Sequence, residues 1–160
     1  IFDRSTIAHT MTADMRKRMA EISSRTEHLP RTRVLYVINS QPLITVGPGS
    51  YIHQMIGLAG GINIASGAAS AYPRLTMETV LQEDPEVLIF PMGSVETVPR
   101  SEQEAWRRWT TLTAVQQNRL REVSADALNR PGPRVMEGLE ALARVIHPEA
   151  FPSDSAPAQP

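Results

Sequence analysis

A chain of 160 residues with 41% hydrophobic content has the material for one substantial core, and its length sets the expectation of a single domain. Sixteen basic side chains against seventeen acidic ones leave a formal net charge of −1, so no general field draws the chain to nucleic acid or anionic lipid. Cysteine is absent, which excludes disulfides, thiol catalysis and cysteine-ligated zinc, and no apolar run approaches the ~20 residues that span a bilayer.

The opening residues IFDRSTIAH lack the charged and then apolar regions of a leader, and the first residue is Ile1 rather than methionine. The expectation is a piece or processed product of a longer protein. From Ser5 to about Arg25, Ile7, Met11, Met15, Met19 and Ile22 recur at three- and four-residue steps, one stripe of a helix whose other faces carry Arg16, Lys17, Arg18 and Glu21. Pro30 ends that segment, and RVLYVI, Arg33 to Ile38, has the β-branched and aromatic character of a buried strand. VGPGSYIHQMIGLAGGINIA then reads as a glycine-punctuated loop, a helix with Ile52, Met55, Ile56 and Ala59 on one face, and a stop at Gly60-Gly61.

In AYPRLTMETVL, Thr76 caps a helix that reaches Gln82 or Glu83, and Pro85 closes it before EVLIF, Glu86 to Phe90, a second buried strand. SEQEAWRRW and LTAVQQ predict two short helices, and RLREVS, Arg119 to Ser124, a third strand of mixed exposure. Val135, Leu139, Leu142 and Ile146 form a last helical stripe closed by His147-Pro148, and PSDSAPAQP has too little apolar content to order itself. Strands alternating with helices imply a parallel α/β sheet with helices on both faces.

Such sheets collect functional groups in the loops beyond the carboxyl ends of their strands, here NSQPLITVGPGS, PMGSVETVPR and ADALNRPGPR. GPGSYI lacks the third glycine of a dinucleotide loop, Pro48 removes one donor, and no acidic residue follows at the required distance, so it reads as a tight turn. His9, His28, His53 and His147 are scattered without ligand spacing, so no metal site is expected, and His53, facing away from the apolar stripe, is expected to be solvated. No nucleophile elbow or triad is visible, Glu102 to Glu104 read as a solvated first helical turn, and no enzymatic function is expected. Trp106 and Trp109, three apart, are expected to pack a helix onto its neighbours, with Trp109 the nearer to a cleft.

Taken in order, RVLYVI, VGPGSYIHQMIGLAGGINIA, YPRLTMETVLQEDPEVLIF, LTAVQQNRLREVSAD and RPGPRVMEGLEALARVIHPE resemble the C-terminal lobe of the periplasmic substrate-binding proteins of the cobalamin and iron-siderophore ABC importers. In that family two α/β lobes are joined by one long helix. The resemblance runs from about Arg33 to Phe151 and implies a three-layer, Rossmann-like α/β lobe with a short, mostly parallel sheet flanked by helices and preceded by a long interlobe helix. It divides the chain into a spine helix at 1–29, the lobe at 30–151 and a disordered tail at 152–160, with the N-terminal lobe absent. The implied role is non-enzymatic. A metal chelate, a corrinoid first and a ferric siderophore or haem next, is held between two lobes as cargo rather than cofactor and delivered to a membrane permease from a periplasmic or membrane-anchored extracytoplasmic location.

Carried over by position, Tyr72 falls where cobalamin-binding relatives present an aromatic ring to the corrin, with Pro73 fixing its direction. Asp126 falls where such relatives place an acidic residue near the ligand; the equal alternative is an aspartate capping the turn ADALN. Asn39, Ser40 and Gln41 are cleft candidates by position, and Arg74 and Arg130 keep an anionic siderophore open. Glu78 matches the lobe-tip glutamate that docks onto permease arginines in the family, against the plain alternative of a dipole-favoured surface glutamate. An uncovered methionine stripe on the first helix would let lobes associate. A reading from another class, an α/β interaction or sensory module fused to a further domain, stays open beside these.

Overall fold

The computed structural model describes residues 13–94, 97–129 and 134–152. In chain order the elements are α1 (Ala13–Thr26), β1 (Thr32–Tyr36), a hairpin of β2 (Asn39–Ser40) and β3 (Leu43–Ile44), α2 (Tyr51–Leu58), β4 (Gly61–Asn63), α3 (Met77–Glu83), β5 (Val87–Met92), α4 (Arg100–Ala105) continued by a 3-10 turn at Trp106–Arg108, α5 (Thr113–Gln116), β6 (Leu120–Ser124), α6 (Ala125–Asn129) and α7 (Val135–Ile146), with a 3-10 turn at Pro148–Ala150.

β1 and β5 are continuous apolar runs because both of their faces are covered. Alternate residues part into two cores: Val34, Tyr36, Val87 and Ile89 pack against α1, α2 and α7, whereas Leu35, Val37, Leu88 and Phe90 pack with Val80, Trp106, Leu112 and Ala114 on the other side. All eight residues, seven in the strands and Val37 directly after β1, are fully buried, each contributing about 1.5–3 kcal/mol relative to exposure. The sheet order is β4-β1-β5-β6 with every pairing parallel, which gives the mixed α/β, three-layer architecture that alternating strands and helices implied.

Two elements depart from the sequence reading. Gly60 does end the α2 segment in a left-handed conformation at φ 89°, but Gly61 then opens β4, a three-residue edge strand where a stop was expected. Its middle residue, Ile62, is exposed as an edge position permits. Second, the loop after β1 folds back as the β2–β3 hairpin. Within the methionine stripe, Met15 and Ile22 are buried and Met19 is half-buried against the α2 and α7 core. Ile7 and Met11, most of the proposed tail, and the interlobe role of the first 12 residues lie outside the described residues.

Polar anchors join the layers. Asp84, in the left-handed region at φ 45° after α3, accepts the Thr113 amide at 2.8 Å and the Thr113 hydroxyl at 2.6 Å, while Arg33 donates through Nε to its carbonyl at 2.9 Å. His147 is buried at the end of α7, with Nε2 2.9 Å from the Gly60 carbonyl and Nδ1 3.1 Å from Glu149 Oε1. Partial burial pushes the Asp84 carboxyl up, but the two Thr113 hydrogen bonds and the Arg33 charge outweigh it and hold the group below the usual carboxylate range.

A depressed folded pKa stabilises the fold above the unfolded value of about 4, and that stabilisation is lost as pH falls through the folded value. Asp84→Asn is therefore expected to cost about 1 kcal/mol at neutral pH through weakened bonds to Thr113. In urea denaturation the gap from the wild type should close as pH drops below about 4; a gap independent of pH would dissociate the carboxylate from this role.

Candidate functional site

Because every rung of the four-stranded sheet is parallel, the carboxyl ends of β1, β4, β5 and β6 open onto one rim. Three constructions occupy it.

The first is a ledge. Residues 43–47 run antiparallel to 71–75, with Leu75 N donating to Leu43 O at 3.0 Å, Thr45 N to Pro73 O at 3.1 Å and Gly47 N to Ala71 O at 2.8 Å. A Cβ on Gly47 would collide with the Ser70 carbonyl and sit 3.0 Å from Pro73 Cδ, so this approach requires glycine. The ledge carries Tyr72, whose side chain is 61% exposed and whose amide donates to Ser70 Oγ at 3.2 Å, followed by half-buried Pro73. Behind it, buried Asn63 at the end of β4 donates to Val46 O at 2.6 Å and to His53 Nδ1 at 3.0 Å, and accepts the Ala65 amide at 3.1 Å. His53 is thus a bonded, half-buried support and not the solvated histidine expected; burial lowers its pKa, in keeping with the neutral ring that an accepting Nδ1 requires.

The second is a latch. Asp126 Oδ1 accepts the Ser94 hydroxyl at 2.9 Å and the Ser94 amide at 3.4 Å, joining the loop after β5 to the first turn of α6. Gly93 makes this contact possible, since a Cβ there would lie 2.9 Å from Ala125 Cβ. The capping alternative for Asp126 does not hold. Ser124 is the residue whose hydroxyl accepts the Ala127 amide, at 3.3 Å.

The third is a groove of about 360 Å³ between the β2–β3 tip and α4, walled by Ser40, Gln41, Met77, Glu102, Trp106 and Trp109 among others. Trp106 is buried in the second core and Trp109 is half-buried at the groove, as their spacing suggested. Asn39 turns inward on its own hairpin, its amide donating to Pro42 O at 2.7 Å, while Gln41 is exposed at the tip. Glu78 stands exposed in the first turn of α3, whose cap is the Thr76 hydroxyl accepting Thr79 N at 3.2 Å.

The candidates therefore share a rim without sharing a pocket: Tyr72 and Pro73 on the ledge, Asp126 in the latch, Ser40 and Gln41 at the groove. Arg74 is exposed beside the ledge, and Arg130 lies outside the described residues. Sequence reasoning missed Gly47, Asn63 and Ser94. A polar Asn63 inside the apolar run INIA was the one available signal. Among the described residues no group of three or more His, Asp or Glu is placed to hold a metal ion, and no helix is long and apolar enough to cross a membrane.

Comparison with known proteins gives the fold a family. The periplasmic binding protein family matches residues 1–127. A vitamin B12-binding protein of Vibrio cholerae is 29% identical over 134 residues, covering 83% of this chain and 47% of the relative. The crystal structure of the periplasmic vitamin B12 binding protein BtuF of Vibrio cholerae superposes with a TM-score of 0.70 at 27% identity, covering 88% of this chain and 53% of that one. An ABC-type Fe3+-hydroxamate transport system structure from Saccharomonospora viridis gives a TM-score of 0.65 at 25% identity, covering 88% and 48%. The chain spans about half the length of the relatives it matches. It belongs to the periplasmic binding protein family, and these relatives are binding and transport proteins rather than enzymes.

Gly47→Ala tests the ledge. The added methyl should break the Gly47 and Thr45 amide bonds to residues 71 and 73, raising their hydrogen exchange by at least about tenfold while the β1 and β5 amides stay protected. Unchanged exchange at those two amides would show that the close approach does not hold the ledge.

Proposed function

We propose that this member of the periplasmic binding protein family is the C-terminal lobe of a solute-binding protein that holds a corrinoid between two lobes and hands it to an ABC permease. The observation that supports this best is Tyr72, a largely exposed ring on a backbone that three cross-segment hydrogen bonds and the Gly47 contact keep in place. A flat macrocycle is bound well by an exposed aromatic face, and the braced backbone of the ledge fixes where that face is presented. Similarity to vitamin B12-binding relatives points the same way.

The other rim groups take subsidiary roles in this reading. Asp126 engages Ser94 through Oδ1, and its Oδ2 has no partner among the described residues, so it offers one acceptor to an amide of the cargo. Gln41 at the hairpin tip offers an amide, whereas Asn39 serves the hairpin that presents it. Glu78, exposed on the first turn of α3, is the docking carboxylate for permease arginines. The protein then works outside the cytoplasmic membrane. A ferric siderophore is the second reading, supported by exposed Arg74, which makes no ion pair among the described residues, and by the Fe3+-hydroxamate transport relative.

Calorimetry of the full-length protein with cyanocobalamin, cobinamide, hemin and a ferric hydroxamate is expected to show heat with the two corrinoids; heat with the hydroxamate alone moves the assignment to the second reading. Tyr72→Ala should lower corrinoid affinity by about 1–2 kcal/mol, and an unchanged dissociation constant would remove the ring from the site. Glu78→Arg should leave that affinity intact and abolish uptake with the cognate permease, so normal uptake rules out its docking role.

A further inference from the structure

Behind the ledge lies a set of hydrogen bonds in which each group's role is dictated by its neighbour. The Asn63 side chain, buried at the end of β4, meets a carbonyl on one side and a backbone amide on the other: Nδ2 donates to Val46 O at 2.6 Å and Oδ1 accepts the Ala65 amide at 3.1 Å. A carbonyl oxygen only accepts and a backbone N–H only donates, so the Asn63 amide cannot be turned over without losing both bonds. Its second Nδ2 proton is left for His53 Nδ1, 3.0 Å away, and that nitrogen has to accept. His53 is thereby held as the neutral tautomer that carries its proton on Nε2. Its backbone is anchored separately, the His53 amide donating to the Ser50 hydroxyl at 3.1 Å where α2 begins.

A proton added to His53 sets donor against donor, and the ring then has to leave the amide. The titratable groups on the elements packed against α2 are Asp126 of α6 and Glu137, Glu140 and Arg144 of α7, with Tyr51 on α2 itself. None of them forms an ion pair with His53 among the described residues, and burial alone lowers its pKa. α1 comes beside α2 at the uncharged Met19, and the one charged residue of the ledge, Arg74, lies opposite Ile44 rather than Val46. We propose that His53 and Asn63 are positioning residues for Tyr72: neutral His53 holds the Asn63 amide on Val46 and so keeps the ledge in place, and acidification withdraws this brace and weakens the hold on the cargo. The proposal rests on the corrinoid reading of Tyr72 and adds to it a control by pH at the same site. The unfolded chain takes up the histidine proton first, so the stability that the brace contributes is complete above about pH 6.5 and lost as pH falls toward the lower folded value.

Two measurements on the full-length protein test this, one of them without cargo. Hydrogen-exchange protection factors of the Thr45 and Gly47 amides are followed from about pH 7.5 down to about pH 5 in the wild type, in His53→Asn and in His53→Leu. The asparagine Oδ1 of His53→Asn stands in for the accepting Nδ1 without titrating, and the leucine has no acceptor. Wild-type protection is expected to fall by about threefold to tenfold over that range, while His53→Asn stays high and His53→Leu stays low throughout. A wild-type profile without the fall, or a fall that persists in His53→Asn, overturns the brace. Cyanocobalamin affinity, measured by calorimetry over the same range, is expected to weaken by about threefold to tenfold in the wild type and to lose that dependence in His53→Asn. A wild-type affinity independent of pH beside a ledge that loosens overturns the positioning of Tyr72. A ledge that loosens in a protein that binds no cyanocobalamin at any pH removes the corrinoid reading and leaves the brace standing.

Discussion

Two adjacent strands, each dry on both faces, govern the molecule. With Val34 through Val37 and Val87 through Phe90 excluded from water, β1 and β5 need a helical layer on either side, and the chain supplies α1, α2 and α7 to one face and α3 to α5 to the other. Parallel pairing follows from those crossovers, because each helix returns the chain to the same edge before the next strand begins. A single rim of strand ends is then a geometric consequence, and residues far apart in sequence meet there without any local signal.

The rim's parts are held by different means. The ledge depends on backbone bonds and on the missing side chain of Gly47, so its shape is fixed by what cannot be placed there. The latch between Asp126 and Ser94 depends on a hydrogen bond in an exposed setting, which makes it the softer of the two. The groove depends on Trp106, whose burial in the second core ties its wall to the sheet itself. A rigid surface for contact, a deformable join between loops and a walled depression thus stand side by side on one edge.

Much of this fold was legible. Periodicity located the helix of Ile52, Met55 and Ile56 and that of Leu139, Leu142 and Ile146, and apolar continuity located β1 and β5, because in each case burial imprints a pattern within a few residues. β4 escaped notice because Gly-Ile-Asn is too short to carry an alternation, and the hairpin because its strands are two residues each. At the site, the resemblance put Tyr72 and Asp126 toward a ligand cleft and Glu78 at a lobe tip, and carried nothing about their surroundings. Ser94 lies 32 residues from the carboxylate it meets, and His53 10 residues from Asn63; such pairings exist only once the sheet has assembled. A helical wheel sorts residues by face and says nothing of the strand end waiting opposite, which is why His53 reads as solvated.

The strand order carries a kinetic corollary. β1 emerges first from the ribosome among the sheet strands, yet both of its neighbours, β4 and β5, are made later, and every rung of the ladder joins residues distant in the chain. Contact order is accordingly high for the sheet, and loop closure must be completed before hydrophobic contact rewards it. Until β5 arrives, the uncharged, β-prone run Val34 to Val37 has only the three-residue β4 available beside it, so the lasting shelter of this strand waits on a segment made about fifty residues later.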